Sequence, residues 1–176
     1  MKPNIELSEK SRRDTVMGLN ALLADEFVLG TSTRKCHWNV TGRHFHDLHE
    51  LFDKQYEALD GIVDDVAERA RALGGHAIGT LSEFIKLARL KEHPGAYPGA
   101  TEMVAELLAG HEKVIRRLRL DVAACSGKLG DVGSADFLTG LMERHEKMAW
   151  MLRSFLEEKS DGQANGAVSS LTYRRK

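Results

Sequence analysis

Apolar residues recur at helical spacing in four long stretches of the chain. The first runs from a cap at Ser8 or Ser11 to about Lys35 and sets Val16, Leu19, Leu22, Leu23, Phe27 and Val28 on one face. The second begins near Phe45, carries Leu48, Leu51, Phe52, Leu59, Ile62 and Val66, and stops at Gly74-Gly75. A third, from about Thr101 to Ala124, turns Val104, Leu107, Leu108, Ile115, Leu118 and Val122 inward. The fourth, from Ser134 to about Glu158, does so with Phe137, Leu138, Leu141, Met148, Leu152 and Phe155. Thr41-Gly42 leaves room only for a tight turn, so the first two helices are antiparallel neighbours and His37 returns to the level of His49. Between the second and third helices, residues 76–100 hold Pro94, Pro98 and several glycines, with a short helix around Ser82 to Ala88. That connection far exceeds the few residues of a hairpin and can cross a bundle from end to end. The pattern predicts an all-α chain: a four-helix bundle with a long crossover containing a short extra helix.

Three segments follow. Residues 1–8 form an arm, residues 9–158 the bundle, and residues 159–176 a tail whose Gly, Ser and Ala content cannot bury much and is expected to be disordered. A chain of 176 residues has enough core to fold as one domain. The N-terminus has no apolar run of the kind a secretion signal needs, and no stretch is long enough to span a membrane, so a cytoplasmic location is expected. Two cysteines, Cys36 and Cys125, outside any C-x-x-C, fit a reducing compartment, and Cys36 reads as a buried, inert thiol.

The second helix carries the chemistry. Asp53, Glu57, Asp60, Asp64 and Glu68 follow one another at spacings of four, three, four and four, with His49 one turn before Asp53. A solvated acidic face is the ordinary meaning of such a run. Here the donors favour a metal, because imidazole with carboxylate suits iron, manganese or zinc. His49 with Asp53, and Asp64 with Glu68, are each four apart and can clamp an ion from adjacent turns. Eleven residues separate Asp53 from Asp64, about 16 Å of helix, whereas carboxylates reach such ions at about 2 Å. One helix cannot place both pairs on one metal; an antiparallel partner helix from a second subunit can. The chain also lacks the Glu-x-x-His motif with which di-iron bundles build a site inside one subunit.

The runs H-W-N-V-T-G from His37, F-H-D-L-H-E-L-F-D from Phe45 and D-D-V-A-E-R-A-R-A-L-G-G from Asp64 resemble the Dps family, the miniferritins, over residues 10 to 158. The resemblance places the ferroxidase ligands at His37, His49, Asp53, Asp64 and Glu68. It implies a ferritin-like bundle, the short crossover helix at subunit contacts, and a dodecameric homo-oligomer with iron sites at its two-fold interfaces. It further implies that Fe²⁺ is oxidised mainly by hydrogen peroxide, two ions per peroxide, with storage of ferric mineral, which suppresses hydroxyl-radical damage to DNA. Zinc fits the same ligands.

Other polar residues read more plainly. His44 and His46 shape the start of the second helix or meet solvent, His111 and His145 belong to polar faces, and Trp38 and Trp150 read as packing anchors. Asp136, Glu143 and Glu146 could line a cation pore. A function of a second class stays open, a structural nucleoid protein that compacts DNA with iron secondary. A net charge of −1 leaves no global basic field, so nucleic acid would have to meet a local patch. The candidates are Arg174, Arg175 and Lys176 at the tail, and Lys2, Lys10, Arg12 and Arg13 near the start, many copies on a shell acting by avidity.

Overall fold

The computed structural model describes residues 3–157. Lys2 and the tail beyond Glu157, with Arg174, Arg175 and Lys176, lie outside the described residues. Five helices and no strands are found among the described residues: α1 (Glu9–Asn39), α2 (Phe45–Ala72), α3 (Leu81–Leu87), α4 (Ala100–Ser126) and α5 (Val132–Glu157). The four long helices form the bundle and α3 sits in the crossover, as the pattern predicts.

Local chemistry sets the boundaries. The Ser8 hydroxyl accepts from the Ser11 N–H and caps α1. This helix runs a full turn past Lys35, because Cys36 is buried beneath it and the Val40 N–H closes on the Cys36 carbonyl. His37 is therefore a residue of the last helical turn and not of a loop. Gly42 takes φ 105° in the turn to α2 and Gly74 takes φ 81° just past its end, conformations in which a Cβ would be strained. Thr80 and Glu83 form a reciprocal capping box at the start of α3.

α1 packs on α2 and α4 on α5, and contacts between α1 and α4 and between α2 and α5 close the bundle. The crossover climbs beside α1. Asn20 binds the His76 carbonyl and the Ile78 N–H, Asp25 binds the N–H groups of Arg89 and Leu90, and Lys35 binds the His93 carbonyl. These contacts advance along α1 toward its C-terminus as the crossover proceeds, so α4 starts at the end where His37 lies. Phe84 of α3 stacks on Phe27 of α1 with ring centroids 4.2 Å apart. Leu19, Leu22, Leu23, Phe52, Leu59, Ile62, Val66, Leu118 and Leu152 fill the centre.

Asp25 is 3% exposed, and the Arg89 guanidinium reaches it at 2.6 Å while the backbone of residues 89 and 90 also donates to it. Removing one member of such a pair strands the other charge. Asp25→Ala should therefore lower stability by about 3–5 kcal/mol. An unfolding free energy from urea titration within about 0.5 kcal/mol of wild type would show that the crossover is not held here.

Candidate metal centre

α1's last turn and α2's second turn bring His37 and His49 face to face. The rings stack with centroids 3.8 Å apart and 20° between planes. Each Nδ1 lies 2.9 Å from the other residue's backbone oxygen: His37 on the His49 carbonyl, His49 on the His37 carbonyl. A carbonyl can only accept, so each Nδ1 carries a proton, and in the neutral ring the lone pair is then on Nε2. The clasp thus fixes the tautomer that a metal ligand needs. His37 Nε2 points toward Asp53, whose Oδ1 is 3.7 Å away. His49 and Asp53 both belong to α2, one turn apart, so three of the expected ligands gather at one end of the molecule.

A supporting layer surrounds them that the sequence pattern did not single out. The Tyr56 ring meets His37 edge-on at 5.3 Å. Its hydroxyl, hydrogen-bonded to the Asp53 carboxylate, is raised in pKa by that bond, with burial and nearby carboxylates adding to it. Arg34 lies 4.6 Å above the Tyr56 ring and also pairs with Asp60. Phe45 stacks on the outer side of His49 at 5.1 Å. The signal was present in the spacing: Tyr56 stands three residues after Asp53 and Arg34 three before His37, so each shares a helix face with a ligand.

Asp64 and Glu68 lie elsewhere. Both are exposed on α2, three turns beyond Asp53. Their neighbours are engaged differently: Asp65 binds Arg144 at 3.0 Å, and Arg69 turns inward to Asp131 and Ser134. Glu57 is exposed, and Glu50 is paired with Lys54. Among the described residues, no three His, Cys, Asp or Glu side chains converge on a metal position within one chain. The five expected ligands thus fall into two separate groups, an imidazole pair with one carboxylate and an exposed carboxylate pair.

Other expected residues fall as follows. His44 is the N-cap position of α2 and its ring meets Phe155, while the His46 side chain is 87% exposed. Trp38 is 71% and Trp150 60% exposed, so neither anchors packing within the chain. His111 and His145 depart further from expectation, since both are fully buried and not on a polar face. Glu146 pairs with Arg119, while Asp136 and Glu143 are exposed. Of the N-terminal cations, Lys10 and Arg13 share Asp14, and Arg12 donates to the Leu73 carbonyl at the end of α2.

The chain matches a family model described as a ferritin-like domain over residues 17–160. It is 49% identical over 154 residues to an uncharacterised low temperature-induced protein of Nostoc, 88% of this chain and 86% of that one. It is 34% identical to a DNA protection during starvation protein of Porphyromonas gingivalis, covering 85% of this chain and 92% of the relative. Among solved structures, Mycobacterium smegmatis Dps superposes with a TM-score of 0.83 at 29% identity, over 89% of this chain and 94% of that one. A Vibrio cholerae Dps protein, described as a member of a broad superfamily of ferritin-like diiron-carboxylate proteins, superposes with a TM-score of 0.82 at 29% identity, over 89% and 98%. No helix among the described residues is long and apolar enough to cross a membrane.

Cys36 lies beside the clasp in sequence, yet burial, with Glu106 adding to it, pushes its thiol up to about 11. At pH 8 about one molecule in a thousand then carries the thiolate, the reactive form. Iodoacetamide at pH 8 should leave Cys36 of the native protein unlabelled over a time that labels it fully in urea. Prompt labelling without denaturant would contradict this burial.

Proposed function

The chain belongs to the Dps family of ferritin-like proteins, and from that premise we propose that it is an iron-sequestering ferroxidase that protects DNA, working as a shell of twelve subunits. The observation that carries this reading is the His37–His49 clasp, which engages both Nδ1 atoms with backbone carbonyls, leaves both Nε2 atoms for a metal and sets that of His37 beside the Asp53 carboxylate. In the proposed shell, Fe²⁺ is the substrate. It binds between His37, His49 and Asp53 of one subunit and Asp64 and Glu68 of its two-fold partner. The exposed residues Leu81 and Ile85 of α3, 67% and 68% exposed in the single chain, offer an apolar strip for such a subunit contact.

The residues divide the work simply. Neutral imidazoles bind Fe²⁺ without displacing a proton, and the carboxylates stabilise the higher charge of Fe³⁺, so electron loss is favoured. With hydrogen peroxide as the oxidant, two Fe²⁺, one H₂O₂ and two protons give two Fe³⁺ and two H₂O. Both electrons go to the O–O bond, and no hydroxyl radical is released. Glu50, Glu57 and Asp60 offer further carboxylates on α2 where ferric product could nucleate. Zinc, which suits the same donors, would compete with iron and inhibit.

A direct test is complementation. Shells of His49→Gly alone or Asp64→Ala alone should oxidise Fe²⁺ with stoichiometric peroxide no faster than the uncatalysed reaction. Randomly co-assembled shells of the two should regain about one intact site in four, because each two-fold contact uses the same patch from both subunits. Verified mixed shells with no recovered activity would refute a site shared between subunits, and faster oxidation by dioxygen than by peroxide would refute the choice of oxidant.

Non-specific DNA binding is proposed for the basic end of the tail, Arg174, Arg175 and Lys176, in addition to iron chemistry. At the start of the chain Arg12 donates to the Leu73 carbonyl and Lys10 and Arg13 pair with Asp14, which leaves that end fewer unengaged cations to offer DNA. Several tails on one shell would act together, with affinity falling steeply as salt rises. Deleting residues 160–176 should abolish gel retardation at low salt and leave iron oxidation unchanged. Undiminished retardation by the truncated protein would move the proposal to Lys2, Lys10 and Arg13.

A further inference from the structure

Three polar side chains at the centre of the bundle are wholly shielded from solvent: Glu26 of α1, His111 of α4 and His145 of α5, each 0% exposed. They form a chain and not a cage. His145 Nε2 lies 3.0 Å from Glu26 Oε1, and His145 Nδ1 lies 3.0 Å from His111 Nδ1. The two nitrogens of His145 thus face different neighbours. A cation placed here would find two donors at most, whereas a proton needs only a pair. Two facing Nδ1 atoms at this distance must share one: one imidazole donates and the other accepts.

The surroundings do little for these groups. The Nε2 atoms of both histidines and both Glu26 oxygens lack an aligned hydrogen-bond partner, the His145–Glu26 contact being close without being lined up. The buried side chains of α2 are uncharged, and Gln55, its one buried polar residue, donates to the Met148 carbonyl. Of the other buried ionisable groups, Asp25 is held by Arg89 and Asp131 by Arg69, and burial raises the thiols of Cys36 and Cys125. An imidazolium at position 111 would therefore sit beside His145, shielded from solvent and without a carboxylate paired to it among the described residues.

The geometry points to an acid-sensitive lock: the Glu26–His145–His111 chain ties α1, α4 and α5 together while His111 is neutral, and mild acid loosens the bundle by forcing a proton onto His111. The direction of the titration agrees. Burial, then repulsion from His145, holds the His111 pKa well below its ordinary 6.5. The unfolded chain takes up this proton near 6.5 and the bundle only well below it. The stability is therefore complete above pH 6.5 and drains as pH falls toward the folded value, by about tenfold in the unfolding constant per pH unit. The carboxylates whose pKa values are lowered, Asp14, Glu50 and Glu83, lose their contribution only below their ordinary 3.8 to 4.5. Asp121, raised by burial, acts in the opposite sense because acid favours its folded form, so stability lost between about pH 5 and 6.5 belongs to histidine.

His111→Gln tests the lock, since glutamine can still bond to His145 but cannot titrate. Full-length assembled protein and variant are unfolded in urea at equal concentration near pH 6.5 and 5.5, followed by Trp fluorescence. The wild-type unfolding constant should rise about fivefold more than the variant's over that interval, because the unfolded chain is already half protonated at its start. Equal acid sensitivity overturns the proposal. Should the variant fail to fold, histidine hydrogen–deuterium exchange read by mass spectrometry on the wild type decides. The His111 peptide should show no titration step between about pH 5.5 and 7.5, and a step near 6.5 overturns the proposal.

Discussion

A helix rises about 1.5 Å per residue, and that constant governs how α2 can present its acidic face. Asp53 and Asp64 are eleven residues apart on one unbroken helix from Phe45 to Ala72. No rotamer choice closes a gap of about 16 Å. Two half-sites on a rigid rod can meet only when a second rod lies antiparallel to the first, and a two-fold axis provides that without any change in the chain. The proposed chemistry and the proposed assembly are thus one hypothesis. Under that hypothesis a chain that does not assemble has the expected ligands but no complete site.

The rod alone would not suffice, because His37 belongs to another helix. Its position depends on the turn at Thr41-Gly42, where Gly42 adopts a positive φ, and on the extra turn of α1 beyond Lys35. That turn also exposes the His37 carbonyl at a helix end, where carbonyls lack intrahelical partners. The ring of His49 donates to it. A group that helix geometry leaves unsatisfied becomes the device that sets a ligand's tautomer. Tyr56 and Arg34 then brace the side of the clasp that faces along α2.

Much of this was legible in the sequence. Four apolar stripes gave four helices, and the spacing of Asp53 and Asp64 along one of them already set the two too far apart to share an ion within one chain. The end of α1 was not legible, because Cys36 is the last buried position before a polar run and the contacts that extend the helix come from α2. Trp38 and Trp150 are exposed for a simpler reason: aromatic bulk favours burial without guaranteeing it. His111 and His145 were placed on polar faces by residue type, although periodicity argued otherwise. His111 follows Leu107 by four, His145 follows Leu141 by four, and Glu26 follows Leu22 by four, so all three sit in the apolar stripe. Position within the stripe was the better guide than polarity.

That placement distinguishes the central cluster from the other buried polar groups. Asp25 receives the Arg89 side chain and two backbone N–H groups, and Asp131 receives Arg69 and the Ser134 hydroxyl and N–H. Both are satisfied, and both fasten chain segments at the margin of the bundle, where removal of a partner would strand a charge. Glu26, His145 and His111 join three helices at the centre with fewer bonds than they could make. Hydrophobic side chains would fill that space at less cost. What the polar set adds is a dependence on protons that leucine could not have. The margin therefore fixes how the helices are arranged, while the centre makes the stability of that arrangement conditional on pH.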